Sequence, residues 1–170
     1  PYADSGLGRV VEKLTTVAPG NSVLSDTFFY VPTSGEPVFF LAAAVRSGTD
    51  LVGALVTEVP VRALTDVMTA GEGWQRLGLG ASGESYIVGG DRTLRTETRA
   101  WLEDPADYLS RHLAQFDDPG ATDLIELIGS PVLVQPVDNA AVTESLDGNQ
   151  FSGTVKNLSL IHISEPTRRS

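Results

Sequence analysis

The sequence contains no cysteine, which removes disulfide scaffolds, thiolate zinc sites and cysteine nucleophiles together. Its 170 residues include only two histidines, His112 and His162. Basic residues are scarce: 12 Lys and Arg stand against 22 Asp and Glu, for a net charge of −10. That balance argues against a nucleic-acid partner, whose phosphates need a basic face, and against adsorption to an anionic membrane surface. It leaves two readings open, acidity for solubility or a preference for cationic ligands. Long hydrophobic runs are missing as well. The longest purely apolar stretch is Val38 to Val45 (VFFLAAAV), far short of the roughly 18 residues that a membrane helix needs.

What is present is ordinary for a folded domain. The chain is 41% hydrophobic and 20% charged, enough to build one core. The first residue is Pro1, so the protein is expected to continue upstream. At the other end, Leu158 to Arg168 (LSLIHISEPTR) is similar throughout to the translation of a transposase-based sequencing adapter. Residues 158–170 are therefore read as a non-native, adapter-derived tail and set aside from the fold. His112 is then the single histidine of the natural part, too few for a histidine-based metal cluster.

Along the chain, Leu7, Val10, Val11 and Leu14 recur at helical spacing, and Pro19-Gly20 ends that helix. Thr27 to Val31 (TFFYV) reads as a strand closed by turn residues. Val38 to Val45 suits a central strand buried on both faces. Ser47-Gly48 turns the chain into a third strand, Leu51 to Val59, and the three form an antiparallel meander. A helix follows Pro60, with Val61, Leu64, Val67 and Met68 on one face. Beyond the Gly-rich stretch 71–83, Glu84 to Val88 and Thr93 to Thr98 predict a hairpin around Gly89-Gly90-Asp91. Asp104 and Pro105 open a helix to Phe116 with Leu109, Leu113 and Phe116 facing the core. Thr122 to Ile128 predicts a short helix ended by Gly129, and Val132 to Val134 a short strand. Asp138 would cap a last helix through Leu146. The class is α/β in a single domain.

No enzyme signature stands out. A Ser-His-Asp triad would have to use His112, read as a surface or boundary residue of its helix, and no G-x-S-x-G elbow accompanies it. GLGASG (Gly78 to Gly83) lacks the Lys-Ser/Thr of a phosphate loop and leads into a predicted strand. The carboxylates Glu84, Asp91, Glu97, Glu103 and Asp104 fall on hairpin and loop positions, where most are solvated. Neither catalytic nor metal-binding residues are assigned, and no cofactor is implied.

The segment Gly78 to Arg99 (GLGASGESYIVGGDRTLRTETR) resembles a hallmark of Cache sensor domains. In that family a Gly-rich turn, GLGxSGExYxVGxD, enters a strand, and a hairpin returns through R-S/T-x-S/T-R. Tyr30, Pro32 and Ser34 stand where the family has a Y-x-P-S-type turn, and the likeness spans most of Asp26 to Val155. The Arg-x-x-x-x-Trp-Tyr pattern of the amino-acid-binding subset is absent. The resemblance implies a PAS-like Cache fold, with a central antiparallel sheet, an N-terminal helix, flanking helices and a pocket over the sheet. It implies a membrane-distal sensor lobe over residues 1–130, then a linker and the start of a truncated second lobe over 131–157.

By the same resemblance, the chain is the extracytoplasmic small-molecule-sensing domain of a membrane receptor, on the periplasmic or extracellular face. The output would be a cyclase, a histidine kinase or a chemotaxis module. A homodimer through the N-terminal helix is compatible with this. The alternatives are a ligand-free structural or dimerisation lobe, or a hydrolase.

Tyr30, Trp74, Tyr86, Asp91, Arg95 and Arg99 are the candidate ligand-binding residues. Each has a plainer reading. Tyr30 belongs to an aromatic group expected in the core, with its hydroxyl in need of a partner. Trp74 is a pocket lid or a plug on the sheet edge, and Asp91 also suits a turn. Tyr86 shares a strand face with Val88. Arg95 and Arg99, at alternate positions of the return strand, are pocket groups or salt-bridge partners of Glu97 and Asp91. On the pocket reading, Arg95→Ala abolishes ligand binding and leaves folding intact.

Overall fold

The strand β3 (Glu36–Ser47) is the axis of the fold in the computed structural model, which describes residues 5–153. It pairs antiparallel along its length with β4 (Asp50–Pro60) through the two-residue turn Gly48-Thr49. Gly48 leads that turn at φ +61, the positive angle a glycine accepts without strain. Two short strands, β1 (Ser22–Leu24) and β2 (Phe28–Tyr30), lie end to end on the other edge of β3. Ser25 bridges the break between them: its N–H donates to the Phe40 carbonyl at 2.9 Å, and its Oγ accepts from the Phe40 N–H at 2.8 Å.

The chain is thus mixed α/β, with a four-stranded antiparallel sheet and helices before and after it. The expected meander is β2–β3–β4, and β1 is an addition. The expectation that Val38 to Val45 is buried on both faces is corrected. Val38, Phe40 and Ala42 are buried, whereas Leu41 and Val45, on the opposite face, are exposed. The alternation arises because one helix, α1 (Gly6–Lys13), covers one face only. Val10 and Leu14 pack there on Val23, Val38, Phe40 and Ala42. Ser5 caps α1, its Oγ accepting from the Gly8 N–H at 3.2 Å.

Helix α2 (Val61–Thr69) buries Val61 of the predicted stripe together with Thr65 and Thr69, half-buries Leu64 and Met68, and leaves Val67 exposed, which corrects the stripe at that position. The threonines tolerate burial because their hydroxyls are bonded: Thr69 Oγ1 donates to the Thr65 carbonyl at 2.9 Å, and Thr65 Oγ1 accepts from the Glu97 N–H at 3.1 Å. The predicted hairpin over 84–98 is reduced to one bridge, Val88 with Leu94. Arg95 N–H still donates to the Ile87 carbonyl at 2.7 Å across the two limbs, and the return limb also bonds to residues 131–137, with Leu94 N–H donating to the Gln135 carbonyl at 3.1 Å and Val137 N–H to the Arg92 carbonyl at 2.7 Å.

After α3 (Arg99–Glu103) come α4 (Pro105–Phe116) and α5 (Pro119–Ile128), each with an aspartate cap and proline in its first turn. α4 buries Tyr108 and His112, and Leu113 and Phe116 are exposed, against expectation. Trp101 and Ile125 pack on Tyr108, so the aromatic side of the helix is the one that is covered. Val132 to Val134 is a turn and not a strand, with Leu133 at φ +66. Asn139, and not Asp138, caps α6 (Ala140–Leu146), accepting from the Val142 N–H at 3.0 Å. Among the described residues no helix is long and apolar enough to cross a membrane. The adapter-like stretch lies outside them.

Candidate ligand cavity

The six residues singled out in the sequence fall into four separate places. Tyr30, on β2, packs edge-on against Phe40 with ring centroids 5.2 Å apart, on the α1 side of the sheet. Trp74 is buried beneath Arg99, whose guanidinium carbon sits 4.5 Å from the ring centroid. Arg99 opens helix α3 and is not on a return strand, which corrects the expectation that it shares a strand face with Arg95. Its Nε donates to Glu103 at 2.7 Å and its Nη1 to the carbonyls of Gly80 and Gly83 at 3.1 and 3.2 Å. The residue therefore ties the Gly-rich turn down onto α3.

Arg95 and Asp91 form the third group. Arg95 is buried and meets Asp91 at 3.0 Å. Its main partner is Asp26, at 2.7 and 2.9 Å, and not Glu97. The hydrogen bond from Arg95 holds the Asp26 carboxyl below its ordinary range. For Asp91, burial pushes upward, but hydrogen bonds from Arg95 and Thr93 outweigh it and the net shift is down. The paired carboxylates raise Arg95 in turn, Asp26 most of all.

Tyr86 is the fourth. It lines a recess of about 250 Å³ with Val88, Asn139, Val142 and Leu146. Burial raises its phenol, Glu84 adds to the rise, and a hydrogen bond with Asn139 opposes it. The recess is largely apolar.

A different cavity, of about 180 Å³, is lined by two carboxylates and an arginine. The start of β3, the junction of β4 with α2, and the C-terminal end of α5 form its walls, and Glu97 lines it from the extended segment before α3. Glu97 is only 8% exposed, and its Oε2 has no hydrogen-bond partner among the described residues. This corrects the reading of Glu97 as a solvated carboxylate. Burial raises its pKa above the usual 4.5; Arg62 and Ser130 counter this, while Asp66 and Glu72 reinforce it. Glu36 and Arg62 are the other charged residues of the lining.

Sequence reasoning missed Glu97 because Thr96, Glu97 and Thr98 are all buried in succession, without strand alternation. His112 is likewise buried, not at the helix surface. Its Nδ1 lies 2.9 Å from Thr122 Oγ1, whose hydrogen goes to the Asp118 carbonyl, so Nδ1 is the donor in that pair. Among the described residues, no group of three or more His, Asp or Glu is placed to hold a metal ion.

No family model, no curated protein and no solved structure matches the chain.

Proposed function

We propose that this chain is an extracytoplasmic small-molecule-sensing lobe, of the PAS-like Cache kind, from a transmembrane signalling receptor. The observation that carries the binding part of this reading is the cavity at Glu97. A buried carboxylate with an unmade hydrogen bond costs stability unless something completes it, and a ligand that enters between β3, α2 and α5 would do so. Such a ligand would touch elements from three parts of the chain at once. Its differential affinity would then shift their relative positions, which is how a sensor signals without chemistry. The receptor part rests on the resemblance of Gly78 to Arg99 to the family hallmark, and an α1-covered antiparallel sheet is compatible with it.

The test has two arms. The chain is screened by thermal shift and calorimetry against organic anions, amines, amino acids and sugars; saturable binding of one class supports the sensor. The gene is read from source DNA upstream of Pro1 and past Asn157. A frame that continues into a membrane helix and a signalling module supports the receptor, and a frame that ends there overturns it.

A ligand-free structural or dimerisation lobe is the second reading, and one observation favours it. The sheet face away from α1 sets Leu24 (59% exposed), Leu41 (44%), Val45 (47%) and Leu55 (66%) side by side. Concentration-dependent dimerisation with no hit in the ligand screen would favour this reading over the first.

A further inference from the structure

The charges around the cavity at Glu97 are unbalanced. Among the described residues, Glu36 and Glu97 line it against the single cation Arg62, and Asp66 and Glu72 lie close enough to Glu97 to act on its carboxyl. Glu97 is more than nine-tenths buried, and its Oε2 lacks a donor among the described residues. An anionic ligand would bring a third negative charge beside a desolvated carboxylate. A neutral hydroxyl would give an ordinary hydrogen bond only, whereas a cationic donor gives a charge-assisted bond, shorter and roughly twice as strong. The recess at Tyr86 is larger, but none of its polar groups is buried without a partner.

We infer that the Glu97 cavity takes a small organic amine, its ammonium group bound by the Glu97 carboxylate and its short carbon stem lying against Val61 and Ile128. The cavity of about 180 Å³ has room for such a molecule, since about 15 Å³ of free volume of this kind already holds one water. This inference rests on the sensing reading and names the ligand class for it.

The full chain is titrated calorimetrically with 1,4-diaminobutane and ethanolamine, and in parallel with 1,4-butanediol and acetate. The amines are expected to bind saturably and the diol and acetate not. Glu97→Gln is expected to weaken amine binding at least ten-fold. Arg62 is exposed, so Arg62→Ala retains the fold and, with the competing cation gone, is expected to tighten amine binding several-fold. Equal affinity in wild type and Glu97→Gln, or weaker amine binding in Arg62→Ala, overturns the inference. If the diol or acetate binds and the amines do not, the amine assignment fails and the sensor stands. If nothing binds here or in the wider screen, both fail.

Discussion

Arg95 grips Asp26 in a two-point fork, Nε to Oδ1 at 2.7 Å and Nη2 to Oδ2 at 2.9 Å. Its remaining N–H groups are also taken. Nη2 reaches Asp91 at 3.0 Å, and Nη1 donates to the carbonyl and hydroxyl of Thr93 at 3.1 and 2.6 Å. No donor is left over for a ligand, so the fork is a tie between the β1–β2 link and the 91–95 turn. Arg95→Ala is therefore expected to lower stability, which corrects the expectation that it leaves folding intact and acts on ligand binding. Arg95→Lys should also lose stability, because a single ammonium cannot reproduce the planar fork. Asp26 is 67% exposed, so solvent screening keeps the loss for Lys near ~1 kcal/mol. Urea denaturation measures both; wild-type midpoints in either variant would show that the fork holds nothing.

The same pairing sets the acid limb of stability. Asp26 and Asp91 both titrate below their ordinary 3.8 in the folded chain. Their contribution is complete above pH 3.8 and is lost as pH falls through the lower folded values, because only the unfolded carboxyls take up protons in that window. Asp26→Asn is expected to flatten this part of the curve. An acid transition of unchanged steepness in the variant would remove Asp26 from the account.

Glu97 has the opposite sign. Its folded pKa lies above 4.5, so the folded state holds a proton that the unfolded state has released, and stability falls as pH rises through that interval. Glu97→Gln removes the charged, under-bonded form and is expected to be more stable than wild type at pH 7 by about 1 kcal/mol. The gain should vanish below pH 4.5, where wild-type Glu97 is protonated in both states. Thermal melts at pH 4 and pH 7 check this; a variant less stable at pH 7 would mean that the charge is satisfied in the folded chain.

How much of this was legible depends on how local each cause is. The β3–β4 hairpin was readable because Ser47-Gly48 and two apolar runs lie together in the chain, and the α4 start because Asp104 and Pro105 act within one turn. β1 has three residues, too few to carry a period. The partner of Arg95 was not readable at all, since Asp26 lies 69 residues away in a loop with no motif. The choice of Tyr108 and His112 over Leu113 for burial depends on what α5 and Trp101 present to α4. Periodicity cannot report that, because it ranks residues by hydrophobicity and not by the shape and donors of their neighbours.

His112 gives the last test. Burial lowers its pKa below 6.5, with Asp118 opposing. In an unfolded chain the ring takes up a proton near 6.5, while the folded ring, stacked between Tyr108 and Phe116, stays neutral to lower pH. Stability from this group is therefore complete above 6.5 and falls as pH drops from there to the folded value. His112→Phe keeps the stacking but removes the bond to Thr122, so it should lose about 1 kcal/mol at pH 8. Phe has nothing to titrate, so the deficit should shrink as pH falls from 6.5 to 5. Denaturation midpoints of the two proteins at pH 8, 6.5 and 5 measure it. A constant deficit would mean that His112 protonates as readily in the folded chain as in the unfolded one, and that its contribution comes from the Thr122 bond alone.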